Sequence, residues 1–216
     1  PYLDNVPTAP REKFAANIAA IQKLKEIEQR VANGGSPAFE DEQKILAQYT
    51  GWGGLSDAFD PNKSAWSNEY SQLKAALSES EYEAARSSTL TAFYTPATVI
   101  HPIYRALERF GVKGGKILEP SMGTGAFLAH GHFGSSDAKF YGVELDSITG
   151  RISKQLYQKA NIQVTGYENA LLPDNYFDCV IGNVPFGNFK SMTRSITGCI
   201  FPFTTISLPR ASTSCA

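Results

Sequence analysis

The stretch KILEPSMGTGAFL, residues 116–128, decides the fold. Its first four residues have the pattern of a short buried strand that ends at the acidic Glu119, and a helix is expected from about Ala126. Between them, Gly123 and Gly125 permit a tight turn and a close approach of the backbone to a ligand. Ligands of doubly wound sheets bind beyond the carboxyl ends of the strands. The segment therefore predicts a ligand site at this turn.

Strand and helix patterns alternate around this segment. A helix is expected after Pro96, strands at residues 139–145, 162–164 and 177–182, and a further helix at about residues 148–160. Such alternation predicts a parallel sheet with right-handed crossover helices. The expected fold class is α/β, with a Rossmann-like core.

The N-terminal part has a helical pattern instead. Apolar residues recur every three or four positions through residues 11–33, which is typical of one face of a helix. Ser36 and Pro37 are suited to the N-cap and first residue of a second helix, and Ser78 with Glu81 forms a capping box for a later one. We therefore predict a helical region before the α/β core.

Composition limits the class of protein. With 42% hydrophobic and 19% charged residues, the chain is globular, and its 216 residues allow one full domain and a smaller element. The predicted organisation is a helical region at residues 1–88, an α/β core at 89–190, and an atypical Ser- and Thr-rich tail at 191–216. No run approaches the roughly 18 apolar residues of a membrane span and no signal peptide is recognisable, which favours a cytoplasmic location.

Metal and nucleic-acid signals are weak. The three cysteines lack a CxxC spacing and are expected to be free thiols. His130 and His132 are more typical of a loop than of a pair of metal ligands. No metal is therefore expected. The net charge of −1 gives no basic face for phosphate binding. If the protein acts on DNA, much of the binding surface is expected elsewhere.

Two features of the deciding stretch indicate the type of ligand. Leu128 stands where a dinucleotide fingerprint needs a small residue, which argues against NAD. Glu119 would repel a pyrophosphate but suits a cofactor with a cationic amino group and a sulfonium, such as S-adenosylmethionine. Glu144 ends the next strand, about 20 residues after the glycines. This position and spacing match those of an acidic residue that binds the ribose hydroxyls of an adenosine group. An ordinary strand-end carboxylate is the alternative for Glu144.

A second polar group follows the last predicted strand, in DCVIGNVPFG at residues 178–187. An adenine amine is a poor nucleophile, and its hydrogens need acceptors such as the Asn183 side-chain oxygen or a backbone carbonyl near Pro185. Phe186 can stack on a flipped-out base. An Asn-Pro turn that closes a buried strand is the alternative.

These segments together resemble a known family. LEPSMGTGAFL (118–128), YGVEL (141–145) and IGNVPFG (181–187) are similar to motifs I, II and IV of the amino-methylating DNA methyltransferases of the gamma arrangement, and AFYTP (92–96) is similar to their motif X. YTGWGGL (49–55) resembles the methylase segment of large methylase and helicase proteins of bacterial mobile elements. The resemblance implies an S-adenosylmethionine-dependent methyltransferase fold and methyl transfer to the N6 amine of adenine in DNA.

The resemblance also implies roles for single residues. Phe93 and the three residues after it would line the methionine end of the cofactor, and Glu168 or Asn169 would lie near its adenine. The expected catalytic residues are Asn183, Pro185 and Phe186. The expected cofactor-binding residues are Tyr94, Thr95, Pro96, Glu119, Pro120, Ser121, Gly123, Gly125, Phe127, Glu144, Leu145, Glu168, Asn169 and Asn183. For Trp52, packing under a turn and closure of the cofactor pocket are equally expected.

Two departures from the family pattern leave other functions open. The first departure is Val184, which replaces a proline of motif IV. The second is that the residues after Lys190 leave no room for the rest of a methyltransferase sheet. We therefore expect an incomplete sheet and a C-terminally truncated, weakly active form. One alternative is a protein-glutamine N5-methyltransferase, which uses a similar turn to hold a side-chain amide. The other is a non-catalytic S-adenosylmethionine-binding module.

Overall fold

The computed structural model describes residues 6–90, 94–131, 137–183, 200–201 and 204–207. Seven helices and six strands lie within these ranges, with short 3-10 turns at Ser56–Phe59, Ser64–Trp66 and Tyr167–Asn169. In chain order they are α1 (Pro10–Ala32), α2 (Glu40–Leu46), α3 (Ser67–Ala76), α4 (Glu79–Ser88), α5 (Ala97–Arg109), β1 (Lys116–Glu119), α6 (Ala126–His130), β2 (Lys139–Glu144), α7 (Ser147–Leu156), β3 (Asn161–Val164), β4 (Cys179–Gly182), β5 (Ile200–Phe201) and β6 (Thr204–Ser207).

The chain forms two compact units that are not continuous in sequence. The first unit contains Pro1–Tyr94, Gly123–Gly125 and Asp146–Gln158, and the second contains Thr95–Met122, Ala126–Leu145 and Lys159–Ala216. The glycine turn and α7 therefore belong to the helical unit, whereas the strands belong to the other.

The sheet of the second unit has the strand order β3-β2-β1-β4-β6-β5. The first four strands are parallel, with Ile117 of β1 opposite Phe140 of β2 on one side and Cys179 of β4 on the other. β6 and β5 continue the sheet in antiparallel pairing. β1 is buried over most of its length, as expected of a central parallel strand. The predicted α/β class is confirmed.

The core of the first unit is built mainly from helix faces. α1 buries residues at helical spacing, and α7 packs into the same core with Ile148, Ile152 and Leu156. Trp52 is 1% exposed and its ring lies 5.3 Å from that of Phe59. This position agrees with the first alternative for Trp52, a packed aromatic under a turn.

The start of α2 corrects the sequence prediction. Ser36 and Pro37 do not begin the helix, because Arg30 donates hydrogen bonds to both of their carbonyls, at 3.0 and 3.2 Å. The carboxylate of Glu42 accepts from Phe39 N at 3.0 Å, which places the N-cap at Phe39. Hydrogen bonding from Arg30 also lowers the pKa of Glu42 to about 2. The side-chain contacts of Arg30 thus outweigh the capping preference of Ser36 and Pro37.

The other predicted boundaries agree with the structure within a few residues. The capping box of α4 is confirmed, since Ser78 N donates to Glu81 and Glu81 N donates to Ser78 Oγ. β4 begins at Cys179, two residues later than predicted, and the ring of Phe177 before it packs 5.2 Å from that of Tyr141. The tail, which showed no sequence period, contributes the backbone pairing of β5 and β6.

Arg151 links three helices of the first unit. Its guanidinium on α7 donates to Glu28 of α1 at 2.7 and 2.5 Å and to Glu81 of α4 at 2.6 Å. The Arg151 side chain is 27% exposed, so these charge-assisted bonds are partly shielded from water. Arg151 thus places one positive charge between the two carboxylates, and Lys25 Nζ lies 3.6 Å from Glu81 as a second cation.

We predict that Arg151→Gln destabilises the first unit. Removing the guanidinium leaves two carboxylates without their shared cation, so the free energy of unfolding should fall by about 1–3 kcal/mol. The matched control is Arg86→Gln, because Arg86 is 61% exposed and its pair with Glu83 is 4.0 Å long. Urea denaturation measures both variants. Equal losses for Arg151→Gln and Arg86→Gln would contradict this role.

Candidate cofactor-binding site

Polar residues stand at the carboxyl ends of three neighbouring parallel strands. Glu119 is the last residue of β1, Glu144 is the last residue of β2, and Asn183 directly follows β4. β1 lies between β2 and β4, and parallel strands end at the same edge of a sheet. The second unit therefore brings these three residues to one edge of the sheet.

Two glycines allow close packing at this edge. A Cβ atom at Gly182 would lie 3.3 Å from Cγ of Glu119, and a Cβ at Gly142 would overlap the sulfur of Met122. Met122 N also donates to Val143 O at 3.0 Å. The chain that leaves β1 is therefore held against β2 before it enters the glycine turn.

Glu119 is the most unusual group at the edge. It is 2% exposed, and its Oε2 accepts no hydrogen bond from any residue that the structure describes. Burial raises the pKa of this carboxyl well above its ordinary range, and the nearby Glu144 carboxylate adds to the effect. Buried carboxyl oxygens are normally satisfied, so one without a protein partner indicates a ligand position. A cationic donor would both pair with Glu119 and favour its ionised form.

The ends of β2 and β3 present partly exposed groups beside Glu144. Leu145, directly after β2, is 76% exposed, and Glu144 O accepts from Thr165 N at 2.8 Å. Glu168 and Asn169 lie on the exposed 3-10 turn after β3, where Asn169 Nδ2 donates to Glu168 Oε1 at 3.2 Å. The turn thus offers both candidates for the cofactor's adenine, and the choice between them stays a prediction.

The glycine turn is fixed by α7 and the residue after it. Gly123 has a φ of 54° and Gly125 a φ of 77°, a backbone region that favours glycine. Ser153 Oγ donates to Gly123 O at 2.9 Å, and Tyr157 Oη donates to Thr124 O at 3.0 Å. The sequence analysis missed Ser153 and Tyr157. Their four-residue separation places them on one helix face, but nothing in that spacing distinguishes them from core residues.

The predicted motif X residues divide between the two units. Tyr94, in the first unit, is half-buried, and its Cε1 lies 2.6 Å from where a Cβ of Gly123 would be. Thr95 and Pro96 belong to the second unit, where Pro96 is the N-cap of α5. Phe93 lies outside the described residues. Tyr94 is therefore the motif X residue for which contact with the glycine turn is observed.

The remaining predicted residues differ in accessibility. Pro120 is buried and Phe127 is 1% exposed, whereas Ser121 and Asn183 are half-buried. Pro185 and Phe186, predicted to act with Asn183, lie outside the described residues. In the described ranges, no cluster of three or more His, Cys, Asp or Glu side chains could hold a metal ion. No described helix is long and apolar enough to cross a membrane.

Comparison with known families decides the relationship. The model of the family described as N-6 DNA Methylase matches residues 79–198, which include all the motifs at the sheet edge and the glycine turn. This chain belongs to the N-6 DNA methylase family. The resemblance predicted from the motifs is confirmed.

The curated relatives that match this chain are much longer than the chain itself. It is 29% identical over 164 residues to Defense against restriction protein B of Escherichia phage P1, covering 75% of this chain and 6% of that protein. It is 33% identical over 95 residues to Modification methylase CviBIII of Paramecium bursaria Chlorella virus NC1A, covering 44% of this chain and 25% of that protein.

A solved structure also matches part of this chain. It is a protein of Methanococcus maripaludis described as a candidate S-adenosyl-L-methionine-dependent methyltransferase. The match has 20% identity and a TM-score of 0.34, and it covers 40% of this chain and 42% of the other.

Proposed function

We propose that this chain binds S-adenosylmethionine and transfers its methyl group to the N6 amine of adenine in DNA. The single observation that carries the proposal is the polar edge of the sheet, where Glu119, Glu144 and Asn183 follow three adjacent parallel strands. Membership in the N-6 DNA methylase family supports the reaction class. With a net charge of −1, the chain has no excess of positive charge for binding DNA phosphates, so DNA binding would need basic surface outside this chain.

The residues fit the cofactor by their chemistry. The unsatisfied Oε2 of the buried Glu119 suits the cationic amino group of the methionine end, and the Glu144 carboxylate suits the two ribose hydroxyls. We assign Gly123 and Gly125 to close backbone approach and Leu145 to contact with the adenine ring. When bound, the cofactor supplies an electrophilic methyl group on a positively charged sulfur.

We assign Asn183 to hydrogen bonding with the adenine amine that receives the methyl group. Its side-chain oxygen can accept one amine hydrogen, which draws the nitrogen lone pair out of conjugation with the ring. With the cofactor bound, the nitrogen would receive the methyl group, the thioether would be the leaving group, and the methylated amine would lose one proton to solvent. Pro185 and Phe186 are proposed to complete this group by a backbone carbonyl and by stacking on the base.

Labelled methyl transfer tests the proposed reaction. The chain is incubated with methyl-labelled S-adenosylmethionine and either unmethylated DNA or a protein substrate with accessible glutamine, and the products are hydrolysed and analysed by mass spectrometry. We expect N6-methyladenine. At saturating cofactor, Asn183→Ala should lower its formation by about 100-fold or more. Asn161→Ala, an exposed residue at the start of β3, is the control.

Other products would contradict the assignment. Methylglutamine would identify the protein-modifying alternative, and binding of cofactor without transfer to either substrate would favour the non-catalytic module. Equal transfer by Asn183→Ala and the native chain would exclude Asn183 from the reaction.

We also predict that cofactor binding releases a proton from Glu119. Burial holds the pKa of this carboxyl above its ordinary value of 4.5. Between pH 4.5 and the raised pKa, the free protein therefore carries the carboxyl in its protonated form. A bound cation favours the carboxylate, so affinity should rise with pH across that range. Calorimetry at one pH in phosphate and in Tris buffer measures the protons released. Glu119→Gln should release fewer protons than the native chain; an equal number would contradict this role.

A further inference from the structure

The loop TGWGG, residues 50–54, is anchored to α1 by a buried amide. Asn17 is fully buried in the first unit, where its Nδ2 donates to Gly51 O at 2.7 Å and its Oδ1 accepts from Thr50 N at 2.9 Å. A buried side-chain amide with both ends hydrogen-bonded to one loop specifies the backbone path of that loop. The TGWGG loop is therefore fixed by α1 and not only by its own turn.

Further contacts hold the same loop. One helical turn before Asn17, the Nζ of Lys13 donates to Gly53 O at 2.8 Å. Gly54 N donates to Thr89 O at 3.1 Å, which links the loop to the end of α4 and so to the segment that leads to Tyr94. These bonds restrain the TGWGG loop from two directions.

Tyr94 contacts two glycines. Gly51 has a φ of 67°, and a Cβ there would lie 2.7 Å from Tyr94 Oη and 3.3 Å from Tyr94 Cζ. On another edge of the same ring, Tyr94 Cε1 lies 2.6 Å from where a Cβ of Gly123 would be. The Tyr94 ring thus packs directly against both the TGWGG loop and the glycine turn. A side chain at either glycine would displace it.

We propose that the TGWGG loop is a positioning element for the cofactor site. Asn17 and Lys13 fix the loop, Gly51 sets the place of the Tyr94 ring, and the ring in turn supports the backbone at Gly123. Preorganised sites tolerate displacements of only about 0.5 Å, which is less than a Cβ at Gly51 would impose. The inference rests on the proposed binding of S-adenosylmethionine, and it gives Asn17 and Lys13 of α1 a positioning role in that binding.

Paired glycine substitutions test the proposal. Gly51→Ala places a methyl group against Tyr94, whereas Gly34→Ala, outside the loop, introduces similar backbone strain at a φ of 82° in open space. We expect Gly51→Ala to raise the dissociation constant for S-adenosylmethionine by about tenfold, and Gly34→Ala to leave it within about twofold of the native value. Isothermal calorimetry is run well below the unfolding temperature of each variant.

A double substitution separates positioning from general destabilisation. Tyr94→Phe removes the Oη that a Cβ at Gly51 would overlap, leaving Cζ at 3.3 Å as the nearest ring atom. In the Tyr94→Phe background, Gly51→Ala should therefore weaken cofactor binding several-fold less than it does in the native chain. Equal effects of Gly51→Ala in the two backgrounds would overturn the proposal, because strain alone would then explain the loss.

If Gly51→Ala does not fold, two less disruptive substitutions of lysine test the proposal. Lys13→Met removes the bond to the loop carbonyl, and Lys25→Met removes a comparable bond from α1 to Ala76 O, outside the loop. Only Lys13→Met should weaken cofactor binding, and equal binding by the two variants would overturn the proposal. If the native chain itself does not bind S-adenosylmethionine, the proposed function fails instead, so the two failures are distinguishable.

Discussion

The parallel pairing of β1 between β2 and β4 is the constraint on which the rest of the second unit depends. Because all three strands run the same way, their carboxyl ends bring Glu119, Glu144 and Asn183 to one edge, although these residues are far apart in sequence. Gly142 and Gly182 keep that edge free of side chains that would push the strands or the following chain apart. The site is thus a direct product of the strand order.

Burial of Glu119 opposes stability and favours ligand binding. A carboxyl with an unsatisfied buried oxygen costs free energy in the unliganded protein, and burial raises its pKa so that the proton stays on. A cation that binds there regains the lost hydrogen bond and releases the proton. The same physical feature therefore explains both the local cost and the proposed selectivity for a positively charged cofactor over a pyrophosphate.

Much of the sheet could be predicted from the sequence because its signals are local. The bounds of β1, the turn at Gly123 and the strand-end acids follow from apolar runs and glycine placement. The late start of α2 could not be predicted, since it depends on Arg30 reaching across from α1. Contacts between distant segments, such as those of Ser153 and Tyr157 with the glycine turn, likewise cannot be recognised from the periodicity of the sequence. The division into residues 1–88, 89–190 and 191–216 remains a prediction.

Calorimetric titration of the native chain and Glu144→Ala with S-adenosylmethionine tests the central claim most directly. The exposed Glu108 on α5 provides the control substitution Glu108→Ala. Loss of a charged hydrogen-bond acceptor should weaken binding by about 10- to 100-fold in Glu144→Ala, with Glu108→Ala unchanged. Absence of binding by the folded native chain, or equal binding by Glu144→Ala, would contradict a cofactor site at the carboxyl edge of the sheet.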